Sequence, residues 1–359
     1  MSTKQRYAMP VDATEWTVPG KFDTVFKWEY QEGSDALRKL YEKGKNLQWN
    51  TTTRIDWSQD LDPENPQELP DESISIFGSD LWNRLNRPER AKLRRHMQAW
   101  SVSQFLHGEQ GALICTAKIV QQVPNVDAKF YAATQVMDEA RHVETYSRLL
   151  HEKFDLAYPI TPPLKRLLND VLSDSRWDMT YLGMQVMIEG LALAAFAGIR
   201  DTAKNSLAAA VNAYVMQDEA RHVAFGRLAL RDYYPQLTQA ERDQREEFVV
   251  EASYLMRDRF RSEEVWETLG LPVEQCVEYV DSSPDMREFQ SRLFSRIVPT
   301  IKNIGLWGPK IRRAYSNMGV MAFADLDSEQ MMENDEKVAQ EFDARMGRTA
   351  NAWSNRNLS

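Results

Sequence analysis

The string Asp138-Glu139-Ala140-Arg141-His142-Val143 recurs unchanged as Asp218-Glu219-Ala220-Arg221-His222-Val223, 80 residues later. The same offset relates two further glutamates, Glu109 and Glu189, each 30 residues ahead of its Glu-x-x-His. Both stand in otherwise apolar helical stretches, Phe105 to Ile114 and Met184 to Phe196. The chain therefore holds two equivalent helix pairs. Residues three apart on an α-helix differ by ~300° of rotation and ~4.5 Å of rise, so Glu139 and His142 point the same way, as do Glu219 and His222. One such pair alone is more often a solvated surface couple. Duplication with matched upstream glutamates changes that reading. Four glutamates converging with two imidazoles in an apolar interior would be prohibitively costly unless cations compensate them. Four carboxylates and two neutral imidazoles suit iron or manganese and exceed what one tetrahedral zinc takes. Two metal ions bridged by carboxylates fit the count.

The rest of the chain reads as helix. Residues 1–80 form an arm laid on the core, with an amphipathic stretch from Ser34 to Asn46 and turn-forming residues at Asp62-Pro63-Glu64-Asn65-Pro66. Residues 81–235 hold the four-helix core. Its helical pattern starts at Asp80 and runs to Val123, where Pro124 and Asn125 stop it, and further helices are predicted over Asp127 to Phe154, Ser175 to Arg200 and Asp201 to Tyr234. The third of these is apolar almost all round and must be buried. Residues 236–359 supply additional helices, first Thr238 to Thr268, then shorter ones separated by Pro272, Pro284, Pro299 and Pro309, and a polar tail from Arg348. No strand-period segment is long enough to support a sheet.

Charge and cysteine usage narrow the function. A net charge of −9 and a pI near 5.3 argue against a nucleic-acid partner. Met1 to Pro10 has no apolar core of a signal peptide, and the most apolar run, Gly190 to Ile199, is too short to span a bilayer, so no membrane is implied and a cytoplasmic setting is expected. Cys115 and Cys276 have no metal-site spacing and read as buried thiols. His96, His107 and His151 lack partners in the repeat and read as surface or satisfied core positions.

This arrangement of one Glu from each of two helices and a Glu-x-x-His from each of two others resembles the ferritin-like di-iron carboxylate proteins. The resemblance covers roughly Asp80 to Pro235. Within that superfamily the chain is similar to the branch with the small subunit of class I ribonucleotide reductase and the bacterial di-iron monooxygenases and oxidases. It implies an all-α, ferritin-like four-helix bundle with extra helices and an N-terminal arm. The implied cofactor is two iron ions, cycling between Fe2+ and Fe3+ with manganese as a substitute, held by Glu109, Glu139, His142, Glu189, Glu219 and His222. The aspartate before each Glu-x-x-His is expected to hydrogen-bond the far nitrogen of the imidazole on the partner helix, pairing Asp138 with His222 and Asp218 with His142. Tyr146, one turn beyond His142, matches the radical-bearing tyrosine of the reductase subunit, and a core aromatic is the alternative. Leu40 to Asp60 resembles the reductase arm, with Trp49 at the place of an electron-carrying tryptophan.

Departures from the superfamily limit finer labels. Many bacterial hydroxylases place a threonine where this chain has Leu193, and arylamine N-oxygenases add a seventh ligand, a histidine, where it has Val215. Ligand-binding oxidases cross-link a valine and a tyrosine at positions matching Ala112 and Met184. On these positions none of the three specialised labels is supported, and the hydroxylases' proton route does not carry over. Within a turn or two of the ligands stand Phe105, Ala112, Leu113, Val136, Val186, Ala192, Leu193, Phe196, Val215 and Gly226. The small Ala112, Ala192 and Gly226 leave room for a small apolar or aromatic substrate. The expected function is oxygen activation for hydroxylation or N-oxygenation of such a substrate, with O2 as co-substrate. Electrons would come from a separate reductase or ferredoxin, because no flavin or nicotinamide fingerprint is present. A homodimer is the expected assembly. Two alternatives remain: a radical-generating subunit, for which the tail from Arg348 with Trp353 does not resemble the reductase tail, and an iron-oxidising ferritin-like protein, which leaves the chain beyond Pro235 unexplained.

Overall fold

Asparagine and proline punctuate the chain where helices must begin. In the computed structural model, which describes residues 22–26 and 34–354, six longer helices carry the argument: α1 (Asp35–Asn46), α2 (Arg87–Gln122), α3 (Val126–Arg148), α4 (Trp177–Thr202), α5 (Ser206–Tyr233) and α6 (Gln239–Asp258). Asn86 opens α2 with a capping box closed by Glu89, and Pro88 sits in the first turn, where a missing N–H costs nothing. This splits the single helix predicted from Asp80 into Asp80–Arg84 and α2. Asn125 caps α3 through the Ala128 N–H, and Asn205 caps α5 through the Ala208 N–H, so the 80-residue repeat extends to the caps.

Short loops at 123–125 and 203–205 fold α2 against α3 and α4 against α5, and a longer connection through Pro162–Ser173 joins the two pairs. α3 also meets α5, and α1 lies across both. No β-strand occurs among the described residues. Two large apolar clusters fill the interior. One joins the bundle to the C-terminal helices through Met184, Leu191, Ile297, Val298 and Ile301, and the other joins it to the N-terminal segment through Ile55, Ile74, Trp82 and Trp100.

The apolar run at Gly190–Ile199 lies within the helix predicted over Ser175 to Arg200, observed as α4. α4 has 26 residues and is long and apolar enough to cross a membrane by length and composition, but 67% of its most apolar window is buried inside the protein. Its burial follows from its place between α5 and the C-terminal helices. The helix is π-helical over Leu182–Ile188, directly before Glu189, and a second π-helical turn, Leu149–Phe154, ends α3. Such bulges rotate the residues that follow them relative to a regular α-helix. The predicted helix Thr238 to Thr268 is likewise two, because the chain turns at Arg259–Ser262, where Ser262 takes a positive φ of 55°. Helix Ser328–Ser354 runs through the start of the expected polar tail; Met1 to Pro10 and residues 355–359 lie outside the described residues.

Candidate metal centre and substrate cavity

The repeat faces itself across the bundle. Glu109 on α2, Glu139 and His142 on α3, Glu189 on α4, and Glu219 and His222 on α5 are all buried. Donor atoms of Glu109, Glu139, His142 and Glu219 lie within 4.8 Å of one another, and those of Glu139, Glu189 and His222 form a second such group. His142 Nδ1 is 3.2 Å from Glu109 Oε2, 3.4 Å from Glu139 Oε2 and 3.2 Å from Glu219 Oε1. His222 Nδ1 is 3.0 Å from Glu139 Oε1 and 3.4 Å from Glu219 Oε1. The two glutamates of the repeated string thus stand between both imidazoles, while Glu109 and Glu189 flank the ends. Glu139 Oε2, Glu189 Oε2, both oxygens of Glu219 and His222 Nδ1 are buried without a hydrogen-bond partner. Six converging donor residues, four of them with buried unsatisfied atoms, fit a dinuclear metal cofactor far better than a structural polar network.

The electrostatics are those of a site that wants cations. Burial, reinforced by Glu219, holds the carboxyls of Glu109 and Glu189 well above the usual range. For the imidazoles burial works downward, but Glu109 beside His142 and Glu139 beside His222 outweigh it and raise both well above the ordinary value. Burial opposes ionisation of Glu139 too, yet His222 and His142 bring its carboxyl below the usual range. Protons and metal ions compete for these same six groups.

Beneath the imidazoles lies a cross-braced layer of charge. Asp218 Oδ2 lies 3.0 Å from His142 Nε2 and Asp138 Oδ2 lies 3.2 Å from His222 Nε2, each aspartate serving the imidazole of the other helix. This fixes the Nδ1 atoms toward the carboxylates. Arg141 donates to Asp138 at 2.5 Å and to Asp218 at 2.7 Å, and Arg221 donates to Asp218. Burial works against the Asp218 charge, but Arg221, His142 and Arg141 outweigh it and hold the carboxyl well below the usual range. The N-terminal segment closes the layer from below: Gln48 Nε2 donates to Asp138 at 2.7 Å, and Trp49 Nε1 donates to Asp218 at 2.8 Å. Sequence reasoning named the aspartates and Trp49 but missed the arginines, although both stand inside the repeated string. It also missed Gln135, whose amide donates to Glu139 at 3.0 Å and Glu189 at 2.9 Å.

On the other side of the carboxylates a cavity of about 550 Å3 opens, with Glu109, Glu189 and Glu219 in its wall. That is the size of a small-molecule site. Phe105, Ala112, Ala192 and Phe196 line it as their positions suggest, whereas Leu113, Val136, Val186, Leu193, Val215 and Gly226 do not. Gly226 is small for another reason: a Cβ there would come within 2.6 Å of Gln185 Cβ on the π-helical turn. Tyr146 is buried behind the aromatic wall, its ring 5.7 Å from Phe105 and 5.9 Å from Phe196, and its hydroxyl donates to Asn212 Oδ1 at 3.2 Å. Burial, with Glu109 and Glu219 nearby, holds that phenol well above its ordinary pKa. Of the other histidines, His96 meets Tyr158 Oη at 2.6 Å, His107 meets the Tyr158 carbonyl at 2.9 Å and His151 meets Ser147 Oγ at 3.1 Å. Cys115 and Cys276 are both buried free thiols.

Against known families, the model of the p-aminobenzoate N-oxygenase AurF matches residues 30–305. The chain belongs to the AurF family. It is an oxygen-using oxidoreductase of the ferritin-like superfamily with a di-iron cofactor. The family is described by an N-oxygenase, although the position where the resemblance to arylamine N-oxygenases calls for a histidine is the buried Val215. Among solved structures, Protein 19 from Synechococcus, with aldehyde deformylating oxidase activity, is 16% identical over 63% of this chain and 97% of its own, with a TM-score of 0.46. A variant of an R2-like ligand-binding oxidase with a Mn/Fe cofactor is 18% identical over 77% of this chain and 96% of its own, also at 0.46. No curated protein matches the sequence.

Proposed function

We propose that this protein is a monooxygenase that transfers one atom of O2 to a small, largely apolar or aromatic substrate held in the cavity beside the carboxylate cluster. The observation that carries the reading is that one cavity is bounded by Glu109, Glu189 and Glu219 on one part of its wall and by Phe105, Leu191 and Phe196 on another. The family description makes an arylamine such as p-aminobenzoate the first substrate to test.

In this reading Glu109, Glu139, His142, Glu189, Glu219 and His222 would together hold the metal pair. The metal pair would supply oxygen binding and the oxidising equivalents. The chain's own residues do the rest. Asp138 and Asp218 hold each imidazole in the tautomer that leaves Nδ1 free, and Arg141 and Arg221 lie against the buried aspartates as their counter-charges. Gln135 orients Glu139 and Glu189 together. Phe105 and Phe196, backed by Tyr146, keep the reacting end of the cavity dry, which protects a reactive oxidant from water and from the surface. Trp49, linked through Asp218 to His142, offers external electrons a hydrogen-bonded way in from a separate reductase or ferredoxin.

The test is anaerobic loading with Fe2+, addition of p-aminobenzoate and exposure to 18O2. The expected result is an oxidised amine carrying the label. Oxygen uptake with no labelled product, accompanied by a stable tyrosyl radical that Tyr146→Phe abolishes, would replace this reading with radical generation.

A further inference from the structure

Five arginines are buried in the described part of the protein, and four have an acidic partner. Arg141 and Arg221 pair with the two aspartates, Arg245 with Asp178 at 2.9 Å, and Arg227 with Glu329 at 3.1 Å. The fifth is Arg259, 8% exposed, in the turn that follows α6. No described carboxylate forms an ion pair with it, and its Nε is buried without a hydrogen-bond partner. Its side chain lines the same cavity as Glu109, Glu189 and Glu219. A buried guanidinium without a counter-charge is costly, because desolvation is not repaid by any neighbour. Here burial pushes its pKa down to about 10, with no acidic group pulling the other way. At neutral pH it remains a cation.

The surroundings make Arg259 a receptor rather than a packing residue. The cavity around it is largely apolar, with Trp100, Phe105, Phe196 and Phe260 on its wall beside the metal-site glutamates and, at other points of its lining, Glu72, Asp285 and Arg292, and the Phe260 ring lies 5.7 Å from the guanidinium carbon. The turn is held in a fixed, costly shape by the left-handed backbone of Ser262, also on the cavity wall. A planar fork of N–H donors in an apolar chamber matches one kind of partner best: a planar oxyanion on a hydrophobic body.

We propose that Arg259 is the specificity-determining anchor for a carboxylate on the substrate, selecting anionic over neutral aromatic compounds. The inference rests on the oxygenase reading for the substrate's fate, while the binding step stands by itself. Specificity of this kind follows from a group that is left buried and unpaired by the wrong substrate.

Equilibrium binding by calorimetry tests it on the iron-loaded protein held anaerobically, with 4-aminobenzoate against its neutral isostere 4-aminobenzamide. Wild type is expected to bind the carboxylate about ten- to a hundredfold more tightly than the amide. Arg259→Met should abolish that preference while leaving amide binding and iron content unchanged, and Arg259→Lys should restore part of it. If Arg259→Met fails to fold, Arg259→Gln and the lysine variant carry the same comparison. No preference in wild type, no binding of 4-aminobenzoate, or an undiminished preference without the arginine overturns the proposal. Tight, Arg259-dependent binding of 4-aminobenzoate with no labelled oxygen in the product would instead sink the monooxygenase reading and leave the anchor standing.

Discussion

The two helix pairs carry the same six-residue string, yet the residues 80 apart around it differ in kind. Where the first pair has Phe105 and Tyr146 packed ring to ring near the cavity, the second has Gln185 closing over Gly226. Where the first has Gln135, donating to Glu139 and Glu189, the second has the buried Val215. Below the imidazoles, Asp138 receives Gln48 and Asp218 receives Trp49. The repeated residues set up a near-symmetric cluster of charge, and the unrepeated ones decide which flank becomes an aromatic-lined chamber and which becomes solid protein. Chemistry at such a centre depends on both.

The largest effect expected is loss of the metal pair. Replacing His142 and His222 together with alanine should lower bound iron from about two ions per chain to well under one, because each imidazole is the sole nitrogen donor on its side. Metal analysis after iron reconstitution decides it, and undiminished binding would break the two-site picture. The aspartates come next. Asp138→Asn and Asp218→Asn should each weaken metal binding about 10–100-fold, with Asp218→Asn the more severe because that carboxylate holds His142, Trp49 and both arginines. Equal losses would mean that the lower layer treats the two sides alike.

A smaller contrast separates the flanks themselves. Gly226→Ala forces a Cβ against Gln185 and should cost about 1–3 kcal/mol of stability in denaturant unfolding. Tyr146→Phe removes one buried hydrogen bond, should cost about 1 kcal/mol or less, and should leave most turnover intact. If the glycine tolerates alanine without loss, close packing is not what distinguishes the second flank. The smallest effect concerns acid stability. Burial, with help from Lys92 and Arg95, lowers the His96 pKa from 6.5 to about 4. The unfolded chain therefore binds the extra proton first, so this residue's contribution is fully present above pH 6.5 and is lost as pH falls toward 4. His96→Gln should make the melting temperature decline less steeply over that window.

Periodicity and the repeat made the helical architecture legible, because Glu-x-x-His spacing and apolar stripes are local properties of the chain. Boundaries were less so. Asn125 reads as a stop for α2 when it is the cap of α3, since a helix-ending loop and the next helix's first donor-satisfying residue are the same few atoms. The π-helical turn before Glu189 has no sequence signature, and neither does the close approach of Gln185, within it, to Gly226 on the facing helix. Arg259 was invisible for a similar reason: a charged residue in the stretch Thr238 to Thr268 is ordinary, and only the fold reveals that this one, in the turn after α6, is turned inward with no ion pair to a described carboxylate.

The crossed aspartates have a consequence for how such a chain could arise. Each helix pair supplies the support for the other's imidazole, so one pair in isolation would have half the donors and a histidine with nothing behind it. Two identical copies facing each other across a twofold axis would be complete, but every change in one would be imposed on both. Joining the copies in a single polypeptide frees them from that constraint. Inheritance can then keep the hexapeptide twice while letting Tyr146 and Gly226 drift apart, and a symmetric ancestor's two equal faces become one mouth and one wall.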